Sequence, residues 1–159
     1  VAERARTIAL ILGEDAELLE AAAVLHDIGY SPNLAKTGFH PLDGARYLRD
    51  HTDADVRVIR LVAHHSCAWM EAEARGLRDE LESEFPRERP HLGDALCYCD
   101  MNTTPDGTST NPVDRVNEIA GRYGSDSLIG TFIRRAEPEI LASTARVLER
   151  VAAAKRQPM

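Results

Sequence analysis

Along this chain, apolar residues recur at spacings of three and four and almost never alternate, which is the signature of helices packed on one face. The pattern predicts a first helix from Val1 to Leu12, stopped by Gly13. Asp15 is placed to cap a second helix running to about Ile28, with Gly29 as its stop. The loop "YSPNLAKTGF" follows, and His40-Pro41 opens a third helix through about Arg49, proline being tolerated in a first turn. Asp53 or Asp55 starts a fourth, "DADVRVIRLVAHH", and a fifth, mostly charged, runs from Trp69 to about Leu81. After the break "FPRERP", Pro90 or His91 leads into "HLGDALCYCDM". The stretch "NTTPDGTSTNP" is dense in turn formers and reads as a loop. Asn111-Pro112 opens a helix that ends at Tyr123-Gly124, Ser125 caps the next, and Pro138 opens the last. The tail "KRQPM" is expected to fray. No sheet and no repeat is predicted, so the fold class is all-α. With 159 residues the chain suits a single domain over 1–159, its core about 1–107 and its C-terminal helices 111–156.

Polar residues break this pattern at particular places. On the second helix Leu19, Ala22, Ala23 and His26 form one stripe, so His26 extends an apolar face inward. Asp27 stands beside it, and a carboxylate held inside needs a cation, a donor network or a proton. On the fourth helix Val58, Leu61, Val62 and His65 share one stripe, while Arg57, Arg60, Leu61 and His64 share the next. Asp100 ends the stripe of Gly93, Leu96 and Cys97, and His40 opens a helix. Six ionisable residues thus sit at helix ends: His26, Asp27, His40, His64, His65 and Asp100. A bundle can gather such ends around one point, and imidazole with carboxylate is the ligand set of Zn, Mn, Fe or Ni. His51 and His91 are read as surface or cap residues.

Charge and composition narrow the setting. A net charge of -7 with no basic stripe argues against a nucleic-acid duplex as partner. No apolar run approaches the roughly 20 residues that span a bilayer, and the start lacks a secretory layout, so no membrane is expected. Cys67, Cys97 and Cys99 are odd in number and lack CxxC spacing. They read as small core residues in a reducing cytoplasm.

Taken in order, "LHDIG", "HPLDGARYL", "AHHS" and "CDMNTTPDG" resemble the HD-domain superfamily of metal-dependent phosphohydrolases. The resemblance covers about residues 1 to 107. It implies an all-α bundle in which a His, an adjacent His-Asp pair and a later Asp hold a divalent metal. The family's first His usually lies a few residues before a "VA…A" pattern. Here that pattern is "VAERARTIA", so this ligand is expected just upstream of Val1, with Glu3 the nearest substitute. By analogy with two-metal members, His26 and Asp100 serve one metal, Asp27 bridges, and His40 and His64 serve the second. His65 is then an outer neighbour, a substrate contact or a ligand. The implied cofactor is one or two ions of Mn, Fe, Ni, Zn or Mg. The implied substrate is a small phosphorylated molecule, a nucleotide or another metabolite, attacked by an activated water that Asp27 orients. Lys36, in the loop between the His-Asp pair and His40, is the expected phosphate contact, with Arg57 and Arg60 as further candidates and Thr103 and Thr104 expected to line the pocket. The same ligands also suit a diiron oxygenase, or a non-catalytic sensor or scaffold. The last helix is expected to pack on the bundle or to serve a homodimer.

Overall fold

The computed structural model describes residues 1–156. Among these residues the chain forms nine α-helices: α1 (Ala2–Thr7), α2 (Ala16–Leu25), α3 (His40–His51), α4 (Val56–His64), α5 (Ala68–Arg75), α6 (Arg78–Glu84), α7 (Pro90–Met101), α8 (Pro112–Tyr123) and α9 (Leu128–Arg156). There is no strand among the described residues. A lone bridge between Thr103 and Ser109 pins the loop after α7. Among the described residues no helix is long and apolar enough to cross a membrane.

The fold is built around α7. Leu92, Ala95, Leu96, Cys97, Tyr98, Cys99 and Met101 are all buried, so this helix is enclosed nearly all round instead of along one stripe. Helices α1, α2, α4 and α9 pack against it. Leu42, Leu92 and Leu96 are wholly out of water, each contributing about 1.5–3 kcal/mol of hydrophobic stabilisation. The long α9 joins both apolar clusters: Val147 reaches the core formed with α1–α7, while Phe132, Ile133, Ala136 and Ile140 pack with Val116, Ile119 and Ala120 of α8. The three cysteines are free and buried, as small core residues would be.

Several boundaries differ from those the periodicity predicts. The first helix ends at Thr7, whose hydroxyl donates to the Arg4 carbonyl, and the chain continues as two short 3-10 turns. Asp15 does not cap α2; its carboxylate takes the Arg57 guanidinium at 2.7 Å. The expected fifth helix is two, divided at Gly76, whose φ of +71° is a left-handed C-terminal stop. Ser127, not Ser125, starts the last helix, its hydroxyl accepting from the Gly130 amide. That helix runs through Pro138 without restarting, because the residues flanking the exposed proline, Ala136 and Ile140, are fully buried and hold the segment in place. Asp55 and Asn111 do cap α4 and α8. Lys155 and Arg156 close α9 as helix, while Gln157, Pro158 and Met159 lie outside the described residues.

The contact that matters most for the site lies between two glycines. After α2 the chain makes a 3-10 turn, Ile28–Tyr30, that lies against the first turns of α3. A Cβ on Gly29 would sit 2.0 Å from the His40 carbonyl oxygen and 2.7 Å from the Gly44 nitrogen. A Cβ on Gly44 would sit 3.0 Å from the Gly29 nitrogen. The glycines of "HDIG" and "HPLDG" therefore let two backbones touch, and the touch sets His40 next to the His26-Asp27 turn. The loop between them is tied by Asp43, a buried carboxylate that accepts from the amides of Lys36 and Thr37 and from the Thr37 hydroxyl.

Gly29→Ala should destabilise the fold by about 1–3 kcal/mol or more, since its methyl meets unyielding backbone. Gly121→Ala, on the exposed face of α8 with open space at its Cβ, should be stabilising by about 0.5–1 kcal/mol. Denaturant unfolding of the two variants tests this opposition of sign.

Candidate metal centre

Three helix ends and one helix start converge. His26 is the C-terminal cap of α2 and Asp27 follows it. His40 is the first residue of α3, His65 follows α4, and Asp100 lies in the last turn of α7. Asp27 Oδ1 is 3.4 Å from His40 Nε2 and 3.7 Å from His65 Nε2, and those two ring nitrogens are 3.1 Å apart. The other oxygen, Asp27 Oδ2, is 3.2 Å from His26 Nε2, which is 3.5 Å from Asp100 Oδ1. Asp27 thus stands between two donor groups, one oxygen turned to each. Its side chain is 55% exposed and forms the mouth, whereas His65 at 3% and His26 at 7% form the floor.

The rings are fixed from behind. His26 Nδ1 donates to the Ala23 carbonyl at 2.8 Å and His65 Nδ1 to the Val62 carbonyl at 2.7 Å. Each bond reaches three residues back along its helix, keeps the proton on Nδ1 and turns Nε2 into the site. This is how protein ligands to metals are commonly oriented. His40 is braced differently, by the Tyr30 ring stacked on it at 3.8 Å. Asp100 accepts from the Ser66 hydroxyl at 2.5 Å. Ser66 and Cys67 both have left-handed backbone, with φ of +48° and +60°, a strained conformation for residues with a Cβ. It permits the sharp exit from α4 that seats His65 and Ser66.

The electrostatics point to a cation. Asp100 sits at the negative end of the α7 dipole, the wrong end for an anion. Burial also pushes its carboxyl up, yet the His26 imidazole brings it down to about 2. Asp27 is likewise raised by burial and held well below the usual carboxylate range by His26 and His40. Burial pushes His26 down, but the Asp100 and Asp27 carboxylates outweigh it and lift the imidazole to about 10. His65, pushed down to about 4 by burial and then by His40 and His26, is neutral at ordinary pH with its lone pair available.

The donor set fits a metal. His26 Nε2 is buried without a hydrogen-bond partner. His40 Nε2 and His65 Nε2 face each other, an arrangement that leaves two lone pairs opposed unless a proton or a cation lies with them. Bonds of about 2.1 Å place neighbouring ligand atoms about 3.0–3.4 Å apart, close to the separations between Asp27, His40 and His65. Asp27, His40 and His65 form a triad that can hold a metal ion.

The structure does not bring every expected residue here. His64 remains on the Arg57/Arg60 stripe and turns its Nε2 to the Phe85 carbonyl. Nε2 donates, since the carbonyl can only accept, and burial lowers the pKa of the ring. It lines a separate cavity of about 380 Å³ with Arg60 and Trp69. The position expected for His64 is taken by His65, which continues the buried stripe of Val58, Leu61 and Val62 just past the end of α4. Lys36 is also elsewhere: its amide is tied to Asp43, and its side chain lines a small cavity with Asp50 and His51. Arg57 is committed to Asp15 and Glu88. Thr103 donates to the Cys99 carbonyl and Thr104 closes the turn with Asp106 and Thr108. Glu3 is exposed beside Arg4 and Thr7, away from the triad.

In front of the triad opens a cleft of about 390 Å³. Asp27, His40, His65 and Asp100 line one part of it, and α8 and α9 line the rest with Arg115, Ile119, Arg122, Tyr123, Ile129 and Phe132. Sequence reading missed these residues, although Arg115, Ile119 and Arg122 recur at helical spacing on one face and carried the signal.

In metal-free protein the Asp100 carboxylate contributes stability that is complete above about pH 4 and is lost as pH falls through about 2. The His26 contribution is complete below about pH 6.5 and is lost as pH rises towards about 10. The chelated protein should therefore melt at progressively lower temperature from pH 6.5 to 10, and Asp100→Asn should flatten that slope. Calorimetric Mn²⁺ titration should lose roughly 100-fold or more in affinity in His65→Ala and far less in His64→Ala, where only a remote hydrogen bond is removed.

A family model described as HD domain matches residues 1–101. No curated protein and no solved structure matches the chain. The matched segment holds every residue of the cluster, from the His26-Asp27 pair to Asp100, and the chain belongs to the HD-domain family.

Proposed function

We propose that this protein is a metal-dependent phosphohydrolase acting on a small phosphorylated metabolite in the cleft before Asp27. One observation carries the reading: a carboxylate shared between two donor groups stands at the mouth of a cleft, with imidazoles anchored behind it. Asp27, His40 and His65, with His26 and Asp100 as a second set, would hold a divalent ion, which when bound would supply Lewis acidity and lower the pKa of a water to about 7.

The chain's own groups do the rest. Asp27, kept ionised by the adjacent imidazoles, accepts a hydrogen bond from the attacking water and aims its lone pair at phosphorus. His40, held flat against Tyr30, keeps a fixed ring plane beside that oxygen. Ser66 pins Asp100 and the Ala23 carbonyl pins His26, so the floor does not rearrange as charge develops. The walls from α8 and α9 limit water around the ester. A volume near 390 Å³ is at the lower end for small-molecule sites and suits one metabolite rather than a polymer. A duplex and a membrane are not partners in this reading, and it places the protein in the cytoplasm.

Asp27→Asn should retain the fold and lose roughly a hundredfold or more of Mn²⁺-dependent phosphate release from aryl and nucleoside phosphates, followed with a colorimetric phosphate assay. Release that persists in the variant, or that needs no metal in the native protein, contradicts the assignment. Oxygen uptake with iron-loaded protein, in place of phosphate release, would transfer it to the diiron oxygenases.

A further inference from the structure

The cleft has a second chemically distinct end that the family segment does not supply. The HD-domain match ends at residue 101, and α8 begins at Pro112. From α8, Arg115, Ile119 and Arg122 face the same space as Asp27 and His65. The two guanidiniums share a single carboxylate: Glu118 pairs with Arg115 and, at 3.2 Å, with Arg122. One positive charge is left over on this wall. Arg115 is largely buried, and its Nε has neither solvent nor a hydrogen-bond partner. A buried guanidinium N–H left unpaired is costly, and an incoming oxyanion removes that cost. Glu71, which lines the cleft outside the metal cluster, does not oppose such an anion, because Arg75 neutralises it at 2.8 Å. The same cleft is lined by the apolar side chains of Ile129, Phe132, Ile133 and Met101, together with the rings of Tyr30 and Tyr123.

We propose that Arg115 and Arg122 form a recognition site for a second oxyanion of the substrate, remote from the phosphoryl group that reacts. This rests on the phosphohydrolase reading of the Asp27 end. The substrate class is then a doubly anionic metabolite: a phosphoester at one end, a carboxylate or second phosphate at the other, joined by a body that offers apolar surface to Ile129, Phe132 and Ile133. Arg115 and Arg122 bind and position; they do not touch the reacting atoms. The two arginines are suited to either oxyanion, since a guanidinium fork meets carboxylate and phosphate alike.

The test uses non-hydrolysable phosphonates that share one body. Phenylphosphonate, 4-carboxyphenylphosphonate and 1,4-phenylenediphosphonate are titrated calorimetrically into Mn²⁺-loaded protein, and turnover of the matching phosphates is followed separately. The second anion should tighten binding by about tenfold or more over phenylphosphonate, and the tighter of the two doubly anionic probes identifies the oxyanion. In the doubly substituted Arg115→Gln, Arg122→Gln protein this ratio should collapse to about one, and Arg115→Lys should restore part of it. Equal affinity for all three probes in the native protein overturns the proposal, as does a preference that survives the double substitution. If the preference is present and lost as expected while no phosphate is turned over, the recognition site stands and the hydrolase reading fails. Helical circular dichroism of the variants checks that α8 is intact, and a collapse of the ratio counts only with that signal preserved.

Discussion

Two backbones approach at Gly29 and Gly44 more closely than any side chain would permit, and the geometry of the site follows from that approach. The turn after α2 carries His26 and Asp27. The start of α3 carries His40. Only when these two segments touch does Asp27 Oδ1 come within 3.4 Å of His40 Nε2. The Asp43 carboxylate fastens the connecting loop by its amides, so that the intervening residues do not pull the contact apart. The remaining partners arrive from α4 and α7, both anchored in the apolar core. The core fixes where helices end, and the glycine contact fixes how two of those ends meet.

What meets there is electrostatically unfavourable by itself. Asp100 occupies the negative end of a helix dipole and Asp27 lies close by, while His40 and His65 present ring nitrogens to one another at 3.1 Å. The arrangement is relieved in part by lifting His26 to about 10 so that it is a cation between the carboxylates. A divalent ion relieves it more fully, because it satisfies the carboxylates and the opposed lone pairs together. Several ionisable groups breaking the local rules of burial at one point mark a candidate functional site.

Much of this was legible in the sequence, for identifiable reasons. Helical spacing gave the all-α class, the inward course of His26 and the end-of-stripe position of Asp100. It also placed His65 on the stripe of Val58, Leu61 and Val62, which is where the structure finds it, buried at the centre. Assigning His64 by analogy departed from that periodicity and named the neighbouring ring, which turns to Phe85 instead. Lys36 was unreadable because a loop has no periodicity, and the Asp43 staple that turns it away links residues whose pairing no local pattern encodes. The arginines of α8 were missed because a surface helix rich in Arg and Glu looks solvated until a neighbouring helix, here α9, turns one of its faces into a wall. Pro138 misled for a related reason: a local breaker signal was outweighed by the burial of Ala136 and Ile140.

The account stands or falls on a cation being held between Asp27, His40 and His65. The most direct measurement is an anomalous-scattering map at the manganese edge from crystals of this protein grown with Mn²⁺. The account predicts a peak bonded to Asp27 Oδ1, His40 Nε2 and His65 Nε2, and none beside His64. A fully loaded crystal with no peak among these three residues, or with its only peak elsewhere on the molecule, contradicts it.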